Sequence, residues 1–93
     1  MMSVEEVLSS RGRVKVLKVL LDSVELNISE VVKRAGLNYT AAASHLDALK
    51  KAGLLEEKVF GRIRILRVKL EDPRVQALKR LFEVFELYGG RPR

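Results

Sequence analysis

Residues Ile28–Asn38 read ISEVVKRAGLN and residues Tyr39–Leu55 read YTAAASHLDALKKAGLL, and the punctuation of these two stretches decides the fold. Ser29 is a candidate N-cap for a helix of about two turns, and Gly36 is the residue type that most often stops one. Asn38 can then cap a second helix running from Tyr39 to about Ala52, which Gly53 ends. Within it Ala42, Leu46 and Leu49 are spaced by four and three, so they share one helical face.

Two short helices joined by a turn containing glycine are the signature of a helix-turn-helix. Upstream, Ser3 and Glu6 form a capping-box pattern, and Val14, Leu17, Leu20 and Leu21 recur at helical spacing. A first helix is expected from about Val4 into Asp22, with a break near Gly12. Val24–Asn27 reads as a short extended connector.

Downstream the period changes from helical to alternating. LLEEKVFGRIRILRVKL, residues 54–70, carries β-branched residues on both sides of Phe60-Gly61, which predicts a hairpin. Ile63 and Ile65 share one face, whereas Leu66, Val68 and Leu70 continue on the other. Either a bulge or passage from a free wing into the core accounts for the switch. Asp72-Pro73 is a cap followed by proline at the first helical position. The last helix then extends to about Tyr88, with Val75, Leu78, Leu81, Phe82, Phe85 and Tyr88 making an apolar stripe wider than the rest of the domain can cover.

Composition narrows the chemistry. With 93 residues the chain makes one small domain, and with no cysteine it has neither disulfides nor thiolate metal ligands. His45 is the only histidine, so a histidine cluster is excluded too. Apolar runs are far short of the roughly 20 residues that span a bilayer, and the acidic start MMSVEEVLSS is unlike a signal peptide; a cytoplasmic protein is expected. Charged residues make up 32% of the chain and side-chain amides are scarce, which suits a thermophile. A net charge of +6 points to a polyanionic partner, nucleic acid before an acidic membrane surface.

The order helix, helix, helix, hairpin, helix resembles the winged helix-turn-helix DNA-binding domain of small prokaryotic and archaeal regulators of the ArsR and MarR type. The residues that carry the resemblance are SRGRVKVLKVLL (10–21), ISEVVKRAGLN, YTAAASHLDALKKAGLL and EEKVFGRIRILRV (56–68). It implies a mainly α fold with a small β-hairpin wing, α+β in class. Residues 1–70 would form the DNA-binding domain. Residues 71–93 would add a C-terminal dimerisation helix with a short disordered tail.

The resemblance also implies that Val31, Ala35, Leu37, Ala42, Leu46 and Leu49 are core. Tyr39, Thr40, Ala43, Ser44 and Asp47 would face outward from the recognition helix, with Ala41 at the margin. Ala42 would be small where the first two helices cross the third. Ala41, Ala43 and Ser44 would be small because that end enters a major groove about 12 Å wide. A plainer explanation for the alanines is helix propensity.

The expected double-stranded DNA contacts are therefore Asn38, Tyr39, Thr40, Ala43 and Ser44 from the recognition helix, with Lys50, Lys58, Arg62 and Arg64 as phosphate or minor-groove contacts. Seven basic residues from Lys50 to Lys69 face only Glu56 and Glu57, a net +5, whereas Asp72–Tyr88 is neutral. A charge-defended edge strand is the alternative reading of Arg62 and Arg64. Lys58 and Arg67 are weaker candidates than these two, Arg11 and Arg13 are candidates for backbone phosphates with a solvated helix face as the alternative, and His45 reads as a packed edge residue. The outward face lacks the arginine or glutamine that reads guanine or adenine bidentately, so discrimination must come from hydroxyls, thymine methyl contacts, shape and water.

Self-association as a homodimer is expected through Leu78, Leu81, Phe82, Phe85 and Tyr88, which would set two recognition helices roughly 34 Å apart. No cofactor, metal or catalytic constellation is legible: there is no suitably paired carboxylate, nucleophile or phosphate-cradling glycine loop. A winged-helix protein-interaction module or an architectural DNA binder without strong sequence preference is the rival class. A small-molecule effector or a protein partner stays open.

Overall fold

The computed structural model of the chain describes residues 2–89; the tail expected at the C-terminus lies outside them. In chain order the elements are α1 (Val4–Leu8), α2 (Arg11–Ser23), β1 (Glu25–Asn27), α3 (Ile28–Ala35), α4 (Tyr39–Lys51), β2 (Leu55–Phe60), β3 (Ile63–Val68) and α5 (Pro73–Tyr88). This is the winged helix-turn-helix order, with a three-stranded antiparallel sheet, β1-β3-β2, in place of a hairpin alone.

The first helix is two helices. Ser3 closes the expected capping box, its N–H donating to the Glu6 carboxylate at 2.9 Å. The break falls at Ser9-Ser10 instead of Gly12, because the Ser10 hydroxyl accepts from the Arg13 N–H at 3.2 Å and supplies a cap where α2 begins. Gly12 lies inside the first turn of α2, and a Cβ there would come within 2.8 Å of His45 Nε2. Its missing side chain admits the recognition helix instead of breaking the first.

The connector is a strand. β1 pairs with the outer edge of β3, Glu25 opposite Arg67, Leu26 opposite Leu66 and Asn27 opposite Ile65. Its start is forced: Val24 takes φ +70° and ψ −48°, a conformation that β-branched residues avoid, while its carbonyl accepts from Val68 N–H at 2.9 Å. Asn27, not Ser29, caps α3, its Oδ1 accepting from Glu30 N–H at 2.9 Å. The reason is packing: Ile28 is buried and must already sit on the helix.

Gly36 ends α3 in the left-handed region at φ +68°, and Asn38 Oδ1 caps α4 by accepting from Ala41 N–H at 2.8 Å. Val31, Ala35, Ala42, Leu46 and Leu49 are buried as expected, and Leu37 is half-buried against the same core. All of these but Ala42 pack in one cluster with Val16, Leu17, Leu20, Leu54, Leu55, Leu66 and Val68. Truncating a fully buried member such as Leu46 to alanine costs about 2–5 kcal/mol.

The β2–β3 register is continuous from Leu55 opposite Val68 to Phe60 opposite Ile63, so no bulge intervenes. The change of buried face is passage from wing to core: Leu66 and Val68 point into the core, and beyond it the tip exposes Val59, Phe60 and Ile63 by 61%, 62% and 55%. Gly61 and Arg62 form the two-residue loop, with Gly61 at φ +61°, as a glycine-first hairpin turn requires. Asp72 caps α5 ahead of Pro73, and Val75 and Leu78 anchor that helix in the core.

Candidate nucleic-acid interface

Capping by Asn38 places the first turn of α4 at the surface, where Tyr39, Thr40 and Ser44 are exposed and Ala41 is half-buried. Ala43, expected to face outward, is half-buried and packed against the core, so it offers a methyl edge. Asp47 is exposed and pairs with Lys50 at 3.9 Å and Lys51 at 3.6 Å.

The wing does not stand apart from this helix. Arg64 on β3 donates through Nη1 to the Tyr39 hydroxyl oxygen at 3.2 Å and through Nε to Glu57 at 2.5 Å. Lys50, from the last turn of α4, donates to the other oxygen of Glu57 at 2.7 Å. The Glu57 side chain is only 9% exposed. Hydrogen bonds from Arg64 first and Lys50 second hold its carboxyl down to about 2, and Glu57 in turn raises the Arg64 guanidinium pKa. Four expected or adjacent residues thus form one cluster spanning both ends of α4 and both strands of the wing.

Charge alone does not mark Glu57 as a site residue, since it merely subtracts from the basic total. Period-two counting from the buried Leu55 puts Glu57 on the inward face of β2, and that is the signal that distinguishes it from its exposed-face neighbours.

Lys58 and Arg62 are exposed and, among the described residues, form no ion pair. Arg62 occupies the loop at the wing tip. Arg67 is engaged elsewhere, pairing with Glu56 at 3.0 Å and Glu71 at 3.5 Å. Arg13 is likewise turned inward: its Nη1 donates to the Glu6 carbonyl at 2.7 Å. His45 fills the seam between α2 and α4, its Nε2 3.5 Å from the Ser10 hydroxyl and its Nδ1 buried without a partner. Burial, then the nearby Arg13 charge, lowers its pKa, which favours the neutral ring.

On the opposite side, Leu78 and Phe82 pack against the chain's own core, while Leu81, Phe85 and Tyr88 are 36%, 64% and 82% exposed. An apolar groove of about 390 Å³ runs between α1 and α5, lined by Val4, Val7, Leu8, Leu54, Leu78 and Leu81 among others. Among the described residues no three acidic, histidine or cysteine side chains gather as a metal site. No described helix is long and apolar enough to cross a membrane.

A sequence profile described as "Bacterial regulatory protein, arsR family" matches residues 10–57, from the cap of α2 to Glu57. The chain belongs to the arsR family. Its fold is that of other regulators in three dimensions. The AntR antimony-specific transcriptional repressor superposes with a TM-score of 0.77 at 22% identity, over 92% of this chain and 77% of that one. HlyU from Vibrio cholerae gives 0.72 at 25% identity, over 89% and 85%. The homodimeric winged helix-turn-helix DNA-binding domain Mb0332 from Mycobacterium bovis gives 0.69 at 28% identity, over 89% and 74%. No curated protein sequence matches the chain closely enough to count as a relative. ArsR-family proteins are transcriptional regulators, not enzymes.

Proposed function

We propose that the chain is a cytoplasmic, homodimeric transcriptional regulator that binds double-stranded DNA, with α4 in the major groove and the wing on the backbone or minor groove. The observation that carries this reading is the Tyr39–Arg64 contact, which joins the exposed hydroxyl face of α4 to the basic wing as one surface. Asn38, Tyr39, Thr40, Ala43 and Ser44 supply the groove-facing edge. Lys50, Lys58, Arg62 and Arg64 supply the positive field, with Lys58 and Arg62 free to meet phosphates directly.

Self-association rests on the uncovered stripe of α5. Leu81, Phe85 and Tyr88 would meet the second copy, and Leu78 and Phe82 would support them from beneath. Mb0332, at 28% identity, is itself described as homodimeric. A two-fold pair would present two α4 helices to successive turns of one duplex face.

The wing tip favours a second reading, architectural binding with little sequence preference. Phe60 and Ile63 form an exposed cross-strand pair beside Arg62. Apolar side chains beside cations are what minor-groove proteins push between base steps. One experiment separates the readings: select duplexes from a random-sequence pool, then measure affinity for the selected and a random duplex across a salt series. A selected duplex that keeps a preference of a hundred-fold or more as salt rises supports the regulator. Equal affinities lost together with salt support the architectural role. No binding at low salt would overturn both.

A further inference from the structure

A nearly buried carboxylate at the centre of a basic DNA-facing surface is anomalous for electrostatics alone, because it opposes the polyanion the surface attracts. Glu57 accepts from Lys50 Nζ at 2.7 Å, from Arg64 Nε at 2.5 Å and from Arg64 Nη2 at 3.3 Å. Arg64 passes the arrangement on, donating Nη1 to the Tyr39 hydroxyl oxygen at 3.2 Å. With that oxygen already accepting, the Tyr39 O–H proton remains available to donate outward.

We infer that Glu57 is a positioning residue for duplex discrimination: it ties Lys50 and Arg64 to the protein so that neither is an independent phosphate anchor, and through Arg64 it aims Tyr39 as a hydrogen-bond donor. The inference rests on the DNA-binding reading above. Non-specific affinity grows with each phosphate a free cation neutralises. Two cations on one carboxylate therefore contribute to the field around the site while adding little sequence-independent grip. Tyr39, held from behind, then contributes a directional contact that only a correctly placed acceptor on the DNA satisfies. The price is a weaker hold on any duplex, exchanged for a larger difference between duplexes.

The sign of the resulting test is unusual. Glu57→Gln in the full chain releases two cations and slackens Tyr39. Affinity for a random duplex is expected to rise about ten-fold at low salt, with the slope of log affinity against log salt steepening by about one to two, near 0.9 per added phosphate contact. Affinity for the selected duplex is expected to rise less or to fall, so the ratio between them drops about ten-fold. Glu56→Gln is the control, since it makes the same charge change on the same strand, where the partner is Arg67 outside this cluster. It should shift both duplexes by one small factor and leave their ratio intact.

An unchanged ratio and slope in Glu57→Gln, or an equal drop in Glu56→Gln, would overturn the inference while leaving DNA binding in place. Should Glu57→Gln fail to fold, Arg64→Gln decides the matter. It should lower affinity for the selected duplex without changing the salt slope, and a slope that falls by about 0.9 would show Arg64 to be a phosphate anchor after all. Absence of duplex binding by the wild type overturns the DNA reading and this inference together.

Discussion

The α4–wing face and the α1–α5 face are both uncovered, and they are chemical opposites. The first presents hydroxyls, Lys58 and Arg62 over a stretch whose net charge is +5. The second presents Val4, Leu81, Phe85, Leu87 and Tyr88 on helices where α5 is neutral overall. A domain this small cannot bury both surfaces in its own core. On the proposed reading the solvated surface meets a polyanion, and the other gains by meeting apolar surface. On that reading the two faces therefore have two different partners, and perturbing one should leave the chemistry of the other intact.

The largest expected effect joins the two faces through avidity. Phe85→Glu puts a charge on the exposed part of α5 without touching the chain's own core, so light scattering should find a folded monomer. Its affinity for the selected duplex should fall about a hundred-fold or more, since the second half-site contact is no longer intramolecular. An unaltered dimer would remove α5 from the interface. Next comes Tyr39→Phe, which keeps the ring and deletes the hydroxyl. A lost hydrogen bond of this kind amounts to about ten-fold in affinity, expected for the selected duplex and absent for a random one.

Arg62→Ala is milder and of a different kind. Both duplexes should weaken by the same few-fold factor, with the salt slope reduced by about 0.9; a change in preference would mean that Arg62 reads sequence. The smallest effect is one of stability with pH. Glu57 is held down to about 2 from an ordinary 4.5, so its pairing stabilises the fold fully above that ordinary value and is lost as pH falls toward 2. Thermal melts of wild type should decline through this window more steeply than those of Glu57→Gln, and parallel declines would show the pairing to be inconsequential for stability.

How much of this is legible in the sequence depends on the distance over which each feature is decided. α3, α4 and their turn are locally encoded: Gly36, Asn38 and Gly53 punctuate them, and Ala42, Leu46 and Leu49 set the inner face. The apolar excess of α5 is legible for the same reason. The Asn27 cap is a near miss, since Asn27 and Ser29 are both good caps and only the burial of Ile28 selects between them. The break at Ser10 in place of Gly12 is set by the local Ser10 cap, and the glycine that competes with it as a signal is there for His45, a residue of another helix. β1 is three residues long with a single apolar side chain, and it exists because the edge of β3 has backbone groups to satisfy. Glu57 is decided by two partners, Lys50 and Arg64, each seven residues away on another element. Charge counting adds such a residue to a total, whereas alternation along β2 would have placed it inside.

Val24 bears on the order in which this chain can fold. Its backbone conformation opposes local preference by about 1–3 kcal/mol, so the α2–β1 junction has no reason to form in an isolated segment. Beside the local bond from its N–H to the Leu20 carbonyl at 2.6 Å, what offsets that cost is remote: the Val68 N–H donates to its carbonyl, and β3 receives β1. The junction is therefore expected to close late in folding, once β3 is in place to hold it, and substitutions at Val24 should change the unfolding rate more than the folding rate. The strand that completes the sheet is, in kinetic terms, a lock turned from the far end of the domain.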